Sequence, residues 1–262
     1  MQRKKDVTKL IYYIVGTVSA FVFLYAAFRL LSYYGESRRE TVLYKELAQI
    51  REDAADQTDD GQNEDVKDDG EKKAETREDV YRRLKEKNAD YVCWLTVEDT
   101  QIDCPVVKRD NTFYLTHDFS GEKNSHGSVF MDEACSVGDA VVLLHGHHMK
   151  DGTMFAPLVN YKKKEFCQSH DKITLEYEDM TDSYTIFAVL KVDLTDETSF
   201  RFEEIPETEE EMRHYLDYLK TASFWLSGEK VHSEDELLLL STCDYDTDDE
   251  RLIVAAYKEK TE

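Results

Sequence analysis

The feature that most limits what this chain can fold into is an uncharged apolar run near its start. Residues 10–28, LIYYIVGTVSAFVFLYAAF, are 19 residues without a formal charge, and a helix of that length measures about 28 Å, enough to cross the hydrocarbon core of a bilayer. Bulky residues continue through Leu31, whereas a cleaved signal peptide has a shorter run and a small-residue cleavage site. The sequence therefore predicts an uncleaved transmembrane signal anchor over residues 10–31.

Charges and aromatic residues at the ends of this run predict its orientation. Four basic residues lie before it, at positions 3, 4, 5 and 9, and tyrosines cluster near both ends. Basic residues favour the cytoplasmic side, and tyrosines favour the membrane interface. We expect a single-pass protein of the cell membrane, with a cytoplasmic N-terminus and everything after residue 34 outside the cell. A buried helix of a soluble protein is the alternative.

The charge balance excludes one large class of partners. The chain has 33 Lys+Arg against 56 Asp+Glu, a formal charge of −23. Nucleic acids are held chiefly by Lys and Arg that neutralise phosphates, so we expect no nucleic-acid binding.

Acidic residues also divide the chain into parts. Residues 51–79 contain 13 acidic and 5 basic residues, and such a stretch cannot bury enough apolar surface to fold. We expect a cytoplasmic tail and anchor over residues 1–35. A juxtamembrane helix (residues 36–50) and an extended acidic linker would then occupy residues 36–79. One folded domain would cover residues 80–262.

The apolar pattern of residues 80–262 is mostly that of β-strands. Short runs of β-branched and aromatic residues are bounded by turn residues. Eight such runs occur, over residues 91–97, 101–107, 127–131, 140–146, 172–177, 183–192, 236–243 and 251–257. Helical patterns cover residues 78–88 and follow a capping box formed by Thr208 and Glu211. We predict a mainly β fold, an eight-stranded barrel with peripheral helices.

The five cysteines do not predict a disulfide scaffold. They form no CxxC pair, and one would remain if the others were bridged. Cys93 and Cys104 lie in strand-like runs and are expected to be core residues. Cys243 instead ends the most apolar run, LLLLST, and the polar turn residues DYDTDDE follow it. A thiol at a strand end can meet substrate while the core fixes its backbone.

A nucleophilic thiol needs an acid or base nearby and a group that stabilises negative charge on the attacked carbonyl. Arg251 begins the strand after Cys243, so a hairpin would bring it alongside, although a surface ion pair with the acidic loop is the alternative. Histidines cluster in VVLLHGHHMKDG. By strand alternation, His145 and His147 share one face while His148 points away.

Two hydroxyl residues precede the cysteine. Alternation places Ser241 on the side of Cys243, where its hydroxyl can bind substrate or Arg251, or else satisfy backbone at the strand end. Thr242 is expected to pack inward. A zinc site on His145 and His147 would require a distant third ligand such as His117, His126 or Cys135, and the spacing carries no such signature. We therefore expect no metal.

Several motifs taken together resemble class B sortases. They are LSTC at 240–243 with an arginine eight positions on, GHHM at 146–149 followed by KDGTMFAPLVNY, DCPVV at 103–107, and NTFYLTHDFSGEKNSHGSVFMD at 111–132. Their order and spacing match across nearly all of residues 80–262. A membrane anchor before the domain is also typical of that family.

The resemblance implies a cell-surface cysteine transpeptidase with a sortase-type β-barrel and no cofactor. Such an enzyme cleaves a C-terminal sorting motif of secreted proteins after its Thr, through a thioester acyl-enzyme, and transfers the product to an amine of a peptidoglycan precursor. The family motif assigns Cys243 as nucleophile, His147 as general acid/base and Arg251 as oxyanion or substrate stabiliser. Beside these three, we expect Ser241 and Thr242 to contribute to substrate binding. Two alternatives stay open: a cysteine peptidase that releases its product to water, and a non-catalytic adhesion domain on a stalk.

Overall fold

The structure is a computed structural model that describes the backbone of residues 2–55, 76–196, 200–243 and 250–260. Side chains are described within these ranges from residue 12 onward, except those of residues 53–55 and 243. The chain forms two compact units, residues 1–42 and residues 43–262.

The first helix, α1, spans Gln2–Ala55. Its part from Tyr12 to Glu52 includes an 18-residue window with a mean hydropathy of 1.9, none of which is buried within the protein. By length and composition this helix is a candidate membrane anchor, in agreement with the predicted apolar span. Residues 36–50 are helical as predicted, but they continue α1 without a break and do not form a separate short helix.

The C-terminal turns of α1 belong to the second unit and pack on its surface. The side chains of Leu47 and Ile50 are buried there. Arg51 binds Glu176 through two nitrogens, at 2.9 and 2.5 Å, and its guanidinium lies 5.6 Å from the ring centroid of Trp94. The predicted acidic linker falls mainly on residues 56–75, which lie outside the described residues. The predicted domain boundaries remain a prediction.

The second unit is built around a closed β-barrel. Its strands are β1 Tyr91–Val97, β2 Asp103–Lys108, β3 Val129–Met131, β4 Val141–His145, β5 Lys172–Glu176, β6 Thr181–Asp193, β7 Trp225–Leu226, β8 Leu237–Cys243 and β9 Glu250–Lys258. Hydrogen bonding follows the order β5-β1-β2-β3-β4-β8-β9-β6, and β5 pairs with β6 to close the ring. The two-residue β7 adds to the side of β6. The predicted eight-stranded barrel is therefore confirmed, and each of the eight predicted runs overlaps one of its strands.

Helices surround the barrel. They are α2 Arg77–Lys87, α3 Lys164–Ser169 and α4 Glu209–Ala222, with 3₁₀-helices at Phe113–Leu115 and Ala156–Lys162. The predicted capping box is present at the start of α4, where Thr208 accepts a hydrogen bond from the Glu211 amide and the Glu211 carboxylate accepts one from the Thr208 amide. Such a box satisfies amides that a helix start leaves without partners.

Strands β4 and β8 are held in place by the barrel core. Strands β4 and β8 lie side by side and run parallel. Their apolar residues, Val141–Leu144 and Leu237–Leu240, are at most 2% exposed. Parallel strands buried on both faces typically read as continuous apolar runs, which is what VVLL and LLLL are. Cys93 and Cys104 are buried in the same core, as predicted.

Candidate active site

The strand register gathers the predicted site residues at one end of the barrel. In the parallel pair β4 and β8, His145 lies opposite Ser241, and the Gly146 amide donates to the Ser241 carbonyl at 3.1 Å. Residues two positions further along each strand path are His147 and Cys243. In the antiparallel pair β8 and β9, the backbone of Cys243 lies opposite Arg251. Three distant stretches therefore bring these residues to the same barrel edge.

A cavity of about 260 Å³ opens at this edge. The side chains that line it come from several segments, and they include His145, His147, Thr242 and Arg251. His148 instead lines a separate cavity, together with Met149 and Lys150. The predicted separation of His148 from its two neighbours thus agrees with the lining of the two cavities.

The imidazole of His147 is held by the segment that connects β2 to β3. Its Nε2 lies 2.8 Å from the Leu115 carbonyl oxygen, and because a carbonyl only accepts, Nε2 carries the proton in this contact. Gly127 (φ +62°) lies against the ring edge next to Nε2: a Cβ there would be 3.0 Å from His147 Cδ2 and 2.5 Å from the Tyr114 carbonyl oxygen. A side chain at residue 127 would therefore displace the ring or its support.

Gly146, the residue before His147, is also required by close packing. A Cβ at this position would lie 2.7 Å from the ring of Phe155. Phe155 is completely buried, and its amide donates to the His147 carbonyl at 2.9 Å. The GH pair of the sequence therefore reflects a backbone that passes directly over a core aromatic ring.

A second histidine in the cavity is paired with a buried carboxylate. His145 Nε2 lies 2.9 Å from Asp132 Oδ2, and the Asn111 side-chain amide donates to the same oxygen at 2.9 Å. Burial favours a raised pKa for Asp132, but hydrogen bonds from His145, the Ala134 amide and Asn111, together with the charge of His145, outweigh it and hold the pKa below its usual value.

Sequence reasoning did not select Asn111, Leu115 or Asp132 as site residues, although all three line the cavity. The quoted stretch at 111–132 contains them, but no local pattern indicates which of its positions reach the site. A carbonyl such as that of Leu115 carries no residue-type signal. Which positions of the β2–β3 connection reach the cavity depends on its tertiary contacts, and the sequence alone does not specify these.

Ser241 and Thr242 line the cavity and are each 2% exposed. Within the described part of the chain, neither hydroxyl oxygen has a hydrogen-bond partner. Thr242 is buried as predicted, yet it also contributes to the cavity wall. Buried hydroxyls without partners are uncommon in proteins, and they suit a site whose ligand supplies the missing bond.

The four cysteines whose side chains are described are free thiols buried in the protein. Burial raises the pKa of Cys135 and of Cys167 to about 11, and it raises the pKa of Cys93 well above its usual value. Thiols of this kind stay protonated and unreactive at neutral pH. Among the described residues, no cluster of three or more His, Cys, Asp or Glu side chains is arranged to hold a metal ion.

Comparison with protein families gives a match to the sortase domain over residues 95–259. The chain belongs to the sortase family. The matched range contains the whole of the barrel edge described above, and it begins within β1.

Individual relatives place this sortase in class B. It is 32% identical to sortase B of Listeria monocytogenes over 234 residues, which are 88% of each chain. A Staphylococcus aureus sortase B–substrate complex has a TM-score of 0.70 and 27% identity, covering 87% of this chain and 99% of that one. The structure of Clostridium perfringens sortase B has a TM-score of 0.64 and 33% identity, covering 68% and 99%.

These similarities establish the class of reaction. The protein is a sortase-type cysteine transpeptidase, and the eight-stranded barrel is the fold of sortase B structures. Sortases in general act on proteins that carry sorting motifs and on amines of cell-wall precursors.

Proposed function

We propose that this sortase cleaves a C-terminal sorting motif of secreted proteins after its Thr and joins that Thr to an amine of a peptidoglycan precursor. The observation that supports the proposal is the register of β4, β8 and β9, in which His145 lies opposite Ser241 at the end of β4 and the backbone of Cys243 lies opposite Arg251. The cavity at that barrel edge is lined by His147 and Arg251. No other described cysteine is accessible there.

The first half of the reaction forms a thioester. The Cys243 thiolate attacks the Thr carbonyl, and the guanidinium of Arg251 stabilises the negative charge that develops on its oxygen. The tetrahedral intermediate collapses as the peptide C–N bond breaks, and His147 donates a proton to the departing amine. The products are an acyl-enzyme and the C-terminal fragment of the secreted protein.

The second half transfers the acyl group. The incoming amine attacks the thioester carbonyl, His147 accepts a proton from the nitrogen, and the thiolate leaves. The contact with Leu115 keeps a proton on Nε2, so a neutral His147 would accept the new proton at Nδ1. The thiol and imidazole act as a coupled pair in both steps.

Ser241 and Thr242 are proposed to bind the sorting peptide. Their buried hydroxyls line the cavity without partners in the described residues. A peptide amide or side chain in the cavity would supply the missing hydrogen bond. The cost of burying each hydroxyl without a partner would then be recovered when the substrate binds.

The proposal is tested with a small library of sorting peptides, an amine acceptor and mass spectrometry of the intact protein. We expect a covalent adduct on wild type that is absent in Cys243→Ala. His147→Ala and Arg251→Ala should each lower kcat/KM by orders of magnitude. His148→Ala is the matched control, because this residue lines the other cavity. Wild-type turnover in Cys243→Ala, or an equal loss in His148→Ala, would contradict the assignment.

A cysteine peptidase is the second candidate, since water can resolve the same thioester. The products decide between the two. An amine adduct on the Thr indicates transfer, whereas a free carboxylate at every acceptor concentration indicates hydrolysis. A non-catalytic adhesion domain would give neither product, and Cys243 would then resist a thiol-reactive methanethiosulfonate.

We also propose that α1 anchors the enzyme with its N-terminus in the cytoplasm and the barrel outside the cell. The apolar window of α1 and the basic residues that precede it support this orientation. Protease added to intact cells should digest the barrel domain and leave a tag at the N-terminus intact. Protection of the barrel would contradict the orientation.

A further inference from the structure

A buried histidine outside the cavity is paired with a carboxylate on the loop that carries His147. The side chain of His126 is completely buried, and that of Asp151 is 21% exposed. His126 Nε2 lies 2.8 Å from Asp151 Oδ2. Because the carboxylate only accepts, Nε2 donates in this contact. The pair is not among the residues assigned to the reaction above.

Asp151 lies at the tip of a narrow loop whose base is His147. At the base, the Phe155 amide donates to the His147 carbonyl, and one step further in, His148 and Met154 form an antiparallel bridge. At the tip, Asp151 Oδ1 accepts hydrogen bonds from the amide and hydroxyl of Thr153. The loop is therefore held together by its own hydrogen bonds, so a displacement of Asp151 at its tip would also displace His147 at its base.

His126 belongs to the segment that holds the imidazole of His147. Its amide donates to Asn124 Oδ1 at 3.0 Å, and the next residue, Gly127, packs against the edge of the His147 ring. The same segment supplies the Leu115 carbonyl that accepts from His147 Nε2. The loop therefore contacts the segment both through the ring of His147 and through the pair of His126 with Asp151.

We propose that His126 and Asp151 are positioning residues that fix the loop of His147 against the β2–β3 segment and thereby orient its imidazole. The proposal rests on the proposed role of His147 as general acid/base. Without the pair, the loop would lose a buried contact that aligns it with the segment. A shift of the imidazole by a fraction of an ångström lowers proton transfer while leaving the peptide-binding surface in place.

Three variants of the full-length protein in detergent test the proposal. Asp151→Ala removes the acceptor at a partly exposed site. His126→Phe keeps a buried ring but removes the donor. Asp151→Asn keeps an oxygen that can accept from His126 and removes only the charge, so it serves as the rescue variant. Lys150→Ala is the control, because Lys150 is the exposed neighbour of Asp151 in the same loop.

Steady-state kinetics with a sorting peptide and an amine provide the first measurement. In Asp151→Ala and His126→Phe, kcat should fall about tenfold or more while KM for the peptide stays within about twofold. Asp151→Asn should retain most of the activity. A double variant that combines Asp151→Ala with His126→Phe should have a kcat no lower than that of the less active single variant. An unchanged kcat in both single variants, or a loss that appears only in KM, would overturn the proposal.

Footprinting provides a second measurement that needs no turnover. Diethyl pyrocarbonate modifies accessible imidazole nitrogens, and tandem mass spectrometry locates the modification at His147. We expect its rate to rise about threefold or more in Asp151→Ala and His126→Phe and to stay at the wild-type value in Lys150→Ala. If wild type transfers no peptide, the proposed function fails, yet the footprint still decides the positioning role. An unchanged footprint at His147 would refute that role.

Discussion

Replacement of Gly127 by alanine should separate the strain of a left-handed backbone from an effect on the active site. Gly127 has φ +62°, and a Cβ there would lie 2.5 Å from the Tyr114 carbonyl oxygen and 3.1 Å from that of Leu115. Gly121 lies in the same segment with φ +78°, and a Cβ there would meet nothing within 4 Å. Gly121→Ala is therefore a matched control that carries the strain without the clash.

The geometry gives the size of each effect. A non-glycine residue in the left-handed region costs about 1–2 kcal/mol, which corresponds to a loss of about 2–8 °C in Tm for a domain of this size. Both variants should show that loss. In Gly127→Ala the added carbon is also about 0.8 Å too close to the Tyr114 oxygen, since carbon–oxygen contacts begin near 3.3 Å. Relief of that contact must move the segment that holds His147.

Activity should distinguish the two variants. A displacement approaching 1 Å at a catalytic group costs up to about a hundredfold, so we expect kcat to fall ten- to a hundredfold in Gly127→Ala and to stay within about twofold in Gly121→Ala. Peptide transfer followed by chromatography measures kcat, and circular dichroism of the same samples measures Tm. Equal activities of the two variants, despite the lower Tm of both, would refute the link between this segment and His147.

Three further predictions concern other parts of the structure. Leu47→Ala should lower the free energy of unfolding by about 2–5 kcal/mol in denaturant titrations, because Leu47 of α1 is completely buried against the barrel unit; a change below about 0.5 kcal/mol would mean that the contact is dispensable. Ser241→Ala should raise KM for the sorting peptide without lowering Tm. A buried hydroxyl that has no partner among the described residues costs about 1–3 kcal/mol of stability, so its removal should not destabilise the fold. A lower Tm would show that the hydroxyl is satisfied. The depressed pKa of Asp132 contributes stability above its unfolded pKa that is lost as pH falls through the folded one. The Tm difference between wild type and Asp132→Asn should accordingly shrink below about pH 4, and a constant difference from pH 3 to 7 would exclude that contribution.

The barrel could be predicted from the sequence because each of its strands has a local signal. Short apolar runs bounded by turn residues locate all eight, and the Thr208 capping box locates α4. The two-residue β7 was missed, since Trp225–Leu226 is too short for any periodic pattern. The short α3, Lys164–Ser169, has no side-chain hydrogen bond at its N-cap that would signal its start.

Part of the candidate site follows from strand alternation, and part depends on contacts between distant segments. Alternation separates His147 from His148, and it places Arg251 across from Cys243 once a hairpin is assumed. The register of β4 against β8 joins strands far apart in sequence, so no local pattern specifies it. For the same reason, no local pattern indicates that the Leu115 carbonyl accepts a hydrogen bond from His147.

The continuous helix 36–50 illustrates a different limit. The sequence predicts a short helix that ends where the acidic stretch begins, because the charge density of that stretch disfavours burial. Arg51 shows how tertiary contacts extend a helix past that point: its guanidinium is neutralised by Glu176 and lies over Trp94. Local propensity is a weak guide where a neighbouring surface supplies the partner.

The C-terminal turns of α1, which pack on the barrel, determine what cleavage of the acidic segment would do to the enzyme. Residues 56–75 connect the end of α1 to the start of α2. Both helices contribute buried residues to the same apolar cluster of the barrel unit. Cleavage of this stretch would therefore not by itself separate the barrel from α1. The buried Leu47 and Ile50 and the ion pair of Arg51 would keep the severed parts together, and a nicked form should separate only under denaturing conditions.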